Sequence, residues 1–148
     1  MLSIVLAYGD AIAHHLSIQE LIHVGGYDVF MTDSFRLFSG RSISQISEEK
    51  NHLLLKTLLS AKESDGRISV TEVDIDGAHQ SLETKSELRT YYIINGSLEF
   101  SINGVKEIKV VQGDILTLEK NSQYSLEGSA KYLVINTPAF KDGDDVYL

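Results

Sequence analysis

A chain of 148 residues has room for one domain, and at that length folding hides roughly two-thirds of the surface of the unfolded chain. It contains no cysteine, which excludes disulfide scaffolding, thiolate metal ligands and a thiol nucleophile. The formal net charge of -8 argues against nucleic acid as a partner, because binding to phosphate backbones needs clustered Lys and Arg that release counterions.

The most apolar N-terminal stretch, Met1 to Leu16, contains Asp10 and lacks the basic residues that open a signal peptide. It is also too short to span a bilayer, so the expectation is a soluble, cytoplasmic protein with no membrane partner. Ser17-Ile18-Gln19-Glu20 fits a capping box, Leu16 and Leu21 are placed as a hydrophobic staple, and Gly25-Gly26 suits a C-terminal cap. These signals predict a short helix over Ile18 to Val24. The remainder, through Arg41 and Lys50, reads as an added strand, an arm or a partly mobile stretch, which makes 1–50 an N-terminal extension. Met31 reads as an alternative start.

From Leu53 onward the texture changes to short β-branched or aromatic runs separated by Gly, Asn and Asp, the pattern of an antiparallel sandwich or barrel. The expected strands are Leu53–Ser60, Ile68–Ile75, Leu88–Asn95, Leu98–Ile102, Val105–Val111, Ile115–Leu118, Tyr124–Leu126 and Tyr132–Asn136. Ser64-Asp65-Gly66 turns the first of these back onto the second, and Asn95-Gly96 ends one strand just before the next. Asn103-Gly104 supplies the two positive φ angles of a tight hairpin between Leu98–Ile102 and the run that starts at Val105. Beyond the last strand, Asp142, Asp144 and Asp145 read as a solvated acidic tail rather than a cation site.

The segment from Gly77 to Phe140 resembles the cupin family in the spacing of its two motifs. Gly77 and Gly96 stand at the ends of the first, and Tyr91-Tyr92-Ile93-Ile94-Asn95-Gly96 matches its aromatic-aliphatic close. The two His positions fall on Glu83 and Lys85, and the Glu position on Arg89. The second motif begins at Gly113-Asp114; its Pro position holds Glu119, its Gly position Asn121 and its His position Tyr124. Asn136-Thr137-Pro138-Ala139-Phe140 is similar to the end of many small cupins. The resemblance implies an all-β, cupin-type double-stranded β-helix, a jelly-roll barrel over 51–148.

A divalent metal in such a fold takes neutral imidazole nitrogen and carboxylate oxygen. Lys85 and Arg89 carry no lone pair for it and repel it by an energy on the order of several kcal/mol at about 4 Å. No metal and no cofactor is therefore expected. His79 with Glu83 and His52 is the alternative metal set, and His14-His15 a weaker one, since adjacent strand residues point to opposite faces.

The phase of the alignment places Glu83, Lys85, Arg89 and Tyr91 on one face, lining the lumen together with Tyr124. Such a lumen suits a polar or anionic ligand such as a sugar, a sugar phosphate or a small carboxylic acid, with Arg89 as a bidentate clamp and Tyr91 or Tyr124 as hydrogen-bonding or stacking groups. The other face, with Leu88, Tyr92 and Ile94, then needs a cover, which implies a homodimer. By burial alone the phase inverts: Leu82, Leu88, Tyr92 and Ile94 are the more apolar set and make the better core, leaving Glu83, Lys85 and Arg89 in water. Three functions stay open: a metal-independent binding module, a metal-independent sugar or sugar-nucleotide isomerase or epimerase, and a structural oligomerisation domain with a vestigial pocket. The enzyme lacks a base near neutrality at either motif's His position, and no residue is assigned a catalytic role.

Overall fold

The computed structural model describes the backbone of 20–24 and 27–31 and all of 35–148. Three N-terminal strands, β1 (Glu20–Val24), β2 (Tyr27–Met31) and β3 (Arg36–Phe38), pair in sequence order as an antiparallel sheet of their own. The predicted helix over Ile18–Val24 is thus corrected: from Glu20 onward this segment is a strand, its Val24 paired with Tyr27. Its β-branched Ile22 and Val24, followed by Gly25-Gly26 and the run Tyr27–Met31, also make a hairpin signal, and strand pairing prevails over a helix with no long apolar stripe to bury.

The remaining strands form one antiparallel sheet: β4 (Ile46–Glu48), β5 (Leu53–Leu59), β6 (Ser69–Thr84), β7 (Leu88–Ile102), β8 (Val105–Val111), β9 (Ile115–Glu119), β10 (Gln123–Thr137) and β11 (Asp145–Tyr147). Their order is β4-β5-β6-β10-β7-β8, with β11 added to β6 and β9 added to β7. β4 lies before residue 51 yet belongs to this sheet. Asn103 and Gly104 take φ of +48° and +84°, as the hairpin from β7 to β8 requires.

Three long strands make the roll. The sequence reads Leu88–Asn95 and Leu98–Ile102 as two strands, and Tyr124–Leu126 and Tyr132–Asn136 as two more; each pair is continuous, bent at Gly96 and near Gly128. A Cβ on Gly96 would lie 2.2 Å from the Ser129 carbonyl oxygen, and one on Gly128 2.4 Å from that of Ser97. Only glycine lets the backbones cross so closely while φ is positive. The bends bring the two ends of the sheet face to face around a shared core, in which Tyr91 from one half packs edge-on against Phe100 from the other at 5.2 Å. The fold is the all-β cupin-type jelly roll, although its sheet does not close into a complete barrel.

Two β-bulges set which side chains enter the core. Tyr124 pairs with Leu82 and Leu126 with His79, so β6 carries one extra residue there; Lys131 pairs with Asn95 and Tyr132 with Ile93, so β7 carries another. Each extra residue inverts the inward parity of its strand. In β6, Val73 and Ile75 are buried before the bulge, and Leu82 and Thr84 after it. In β7 the buried positions pass from Arg89, Tyr91 and Ile93 to Leu98 and Phe100.

Candidate functional site

Between the halves lies a cavity of about 410 Å³. One wall is aliphatic, with Leu53, Leu55, Val73 and Val134. Facing it is a polar cluster built on β7 and β10. Arg89 is 3% exposed; its Nε donates to Asn136 Oδ1 at 2.8 Å and its Nη1 to the Tyr124 hydroxyl at 2.7 Å. The Tyr124 and Tyr91 hydroxyls stand 2.7 Å apart. Arg89 Nη2 lies 2.6 Å from Asp145 Oδ1, which has no well-directed hydrogen bond, so the contact is an ion pair first. The Arg89 guanidinium also sits 5.7 Å from the Phe140 ring centre. Asn136 accepts a further hydrogen bond from Ser86 Oγ at 3.1 Å.

Burial opposes the charge on Arg89, but Tyr91, Tyr124 and the Asp145 carboxylate hold its pKa above the ordinary arginine value. Burial pushes the Tyr91, Tyr124 and Tyr132 phenols up. At neutral pH the phenols are therefore protonated donors, and the acidic side chain beside Arg89 is Asp145.

Of the five lumen residues expected from sequence, the structure brings together Arg89, Tyr91 and Tyr124. Glu83 and Lys85 are elsewhere, a correction to the shared face. They pair with each other on the outer side, with Lys85 Nζ also donating to Asn121 Oδ1 at 3.2 Å and Gln123 donating to Glu83 at 3.1 Å. The cause is the bulge in β6, which turns Leu82 and Thr84 inward and Glu83 outward. The inverted phase, with Leu82, Leu88, Tyr92 and Ile94 as core, holds on β6, where Leu82 is buried and Glu83 faces out, and fails on β7, where Arg89 and Tyr91 are buried and Tyr92 is exposed.

The solvated acidic tail is corrected for Asp144 and Asp145, while Asp142 is exposed. Asp144 is buried, its carbonyl accepts from Lys85 N at 2.7 Å, and β11 pairs Asp145 with Thr84 and Tyr147 with Leu82. Phe140, Asp142, Gly143, Asp145 and Tyr147 all line the cavity. Tyr147 stacks on His79 at 6.0 Å and reaches Glu48 at 3.4 Å. His79 Nδ1 donates to the Gln80 carbonyl oxygen at 2.7 Å, which orients the ring on the cavity wall. Sequence reasoning missed Asp145, Asn136 and Tyr147; an arginine committed to a lumen needs a carboxylate, and Asp145-Val146-Tyr147 after Gly143 has strand alternation.

The cupin metal does not fit these residues. Of the four motif positions, Glu83 and Lys85 face outward, Arg89 has no lone pair and Tyr124 is a protonated phenol donor. Leu82 and Thr84, which take the inward places on β6, add no ligand to set beside them. His79, Glu83 and His52 do not form the alternative site, and among the described residues no group of three His, Asp or Glu side chains is placed to hold an ion.

A bent antiparallel jelly roll with its pocket between the two halves defines a cupin-fold protein. No family model matches the chain, and no curated protein matches it in sequence. Among solved structures, it is similar to Pac13 from Streptomyces with uridine, at 18% identity over 74% of this chain and 88% of that one, TM-score 0.65; Pac13 is described as a nucleoside dehydratase. It is similar to KdgF from a Halomonas species, at 13% identity over 71% of this chain and 94% of that one, TM-score 0.61. A putative ethanolamine utilization protein from Salmonella typhimurium is similar at 13% identity, covering 77% and 95%, TM-score 0.63. Identities this low speak for the fold. No helix among the described residues is long and apolar enough to cross a membrane.

Proposed function

We propose that the protein binds a small, hydroxyl-rich ring compound of the sugar or nucleoside class in the cavity between the two halves of the roll, without a metal. The observation that carries this reading is the asymmetry of the walls: aliphatic side chains face a fixed set of phenol, amide and guanidinium groups, so an apolar ring face and a polar edge are accommodated together. The volume of about 410 Å³ suits a molecule of that size, and the likeness to a uridine-bound protein of the same fold supports the class. The test is calorimetric titration and thermal shift with free sugars and with uridine, each at increasing concentration. A saturable rise in melting temperature that weakens in Tyr124→Phe is expected; silence across the panel favours a structural domain.

One observation favours catalysis as a second reading. His79 on the cavity wall provides the imidazole that the motif positions lack, so a metal-independent isomerase or epimerase needs no tuned tyrosine as its base. Consumption of a bound neutral sugar, lost in His79→Gln with binding retained, distinguishes it from a binding module. We infer also that a second copy covers the outer face of β7 and β9, where Tyr92 pairs with Ile115 and both are exposed. Light scattering at the mass of one chain, unchanged by Ile115→Lys, would overturn that dimer.

A further inference from the structure

We propose that Asp145 is a specificity-determining residue that occupies the anion position of Arg89 and restricts the cavity to uncharged ligands. The proposal deepens the binding function above and rests on it. A buried arginine in a polar cavity is ordinarily the recognition point for carboxylate or phosphate. Here that place is taken from within the chain: Asp145 Oδ1 sits 2.6 Å from Arg89 Nη2, is itself buried, and has no directed hydrogen bond of its own. The carboxylate therefore stands where one oxygen of an anionic ligand would stand. Asn136 and Tyr124 take Nε and Nη1, so the face of the guanidinium that Asp145 covers is the one left for recognition.

The rest of the wall strengthens the filter. Its charged side chains are one cation, Arg89, against three carboxylates, Glu48, Asp142 and Asp145. A phosphate or carboxylate entering this cavity meets a net negative field and must displace a tethered competitor at very high effective concentration. A neutral hydroxyl meets neither obstacle.

Asp145 reaches this position on an edge strand of three residues, held by pairing with Leu82, Glu83 and Thr84 of β6. Because that pairing is made by the backbone, Asp145→Asn keeps β11 in place and removes the charge, leaving the Arg89 cation for a ligand to neutralise.

The experiment uses the full chain and inorganic phosphate as probe, followed by calorimetry and thermal shift, with uridine as the neutral arm. The expected result is no saturable phosphate binding by the wild type, and a gain of at least about tenfold in phosphate affinity in Asp145→Asn. That gain is lost when Arg89→Gln is added. Asp145→Ser, with a shorter side chain, gives the same answer should the amide disturb folding. Phosphate bound equally by wild type and both variants, or by none, overturns the filter. Uridine binding is read separately: its absence with a phosphate gain in Asp145→Asn defeats the nucleoside reading and leaves the masked Arg89 intact, whereas its presence with no gain defeats the filter alone.

Discussion

Arg89 and Lys131 are both cations on the long strands of the roll, each paired with carboxylates from other strands, and they are held in opposite ways. Arg89 is enclosed, with Asp145, Tyr124 and Asn136 around its guanidinium. Lys131 is on the outer surface of β10 between Asp74, its cross-strand partner at 3.0 Å, and Glu72 at 3.3 Å. Its side chain is 37% exposed against 4% for Arg89. The contrast teaches that an ion pair's importance lies in what happens when it is broken. A buried charge left without its partner keeps its desolvation penalty, whereas an exposed one returns to water.

The widest expected separation comes from removing each cation. Arg89→Met strands Asp145 Oδ1 and leaves the Tyr124 hydroxyl and Asn136 Oδ1 each short of a donor, so unfolding in urea should show a loss of about 3–5 kcal/mol. A loss under about 1 kcal/mol would put Arg89 in the same class as Lys131 and end the comparison. Alkaline titration sharpens it next. Tyr91, Tyr124 and Tyr132 hold their protons in the folded chain above the pH at which the unfolded chain releases them. Their folded-state pKa values are raised, so stability is intact below the unfolded value near pH 10 and falls as pH rises beyond it. Each tyrosine contributes a slope of about 1.4 kcal/mol per pH unit. Tyrosinate absorbance that appears only together with unfolding is the expected signature, and gradual ionisation in the folded state would contradict it. Tyr91→Phe should remove one tyrosine's share of that slope and about 1 kcal/mol of stability at neutral pH, because Tyr124 keeps its Arg89 donor.

The sequence revealed the roll better than the site, and the reasons are local. Asn103-Gly104 and the alternating runs report backbone requirements that neighbouring residues decide among themselves, so the hairpin and most strands of the sheet were legible. The bends at Gly96 and Gly128 look like strand ends in one dimension, since a glycine between two apolar runs marks a turn and a close crossing alike. Side-chain phase was lost at the β6 bulge: one unpaired residue near Gln80 and Ser81 puts His79 and Thr84 inside and Glu83 outside, and nothing in their composition announces it. Asp145 was hidden because its role comes from β6, more than sixty residues upstream, while locally it belongs to an acidic stretch. The N-terminal hairpin was missed because Gly25-Gly26 closes a helix as readily as it turns a strand.

The smallest effect is expected at the surface, and there the comparison is most exposed to refutation. Hydrogen bonding to Asp74 raises the Lys131 pKa, so the stability it contributes is present at neutral pH and fades only as pH rises through its own ionisation. Water and salt screen the group from most of that benefit. Lys131→Ala should therefore lower stability by about 0.2–1 kcal/mol. Raising ionic strength from about 0.1 M to about 1 M contracts the screening length from ~10 Å to ~3 Å and should shrink the loss further. The loss in Arg89→Met should depend less on salt over the same range, because the Arg89–Asp145 pair is far less exposed than Lys131. Denaturation of the two variants and the wild type at both salt concentrations measures this directly. Equal salt sensitivity in the two variants would mean that the Arg89 cluster is wet, and the enclosed charge would then be no different from the one outside.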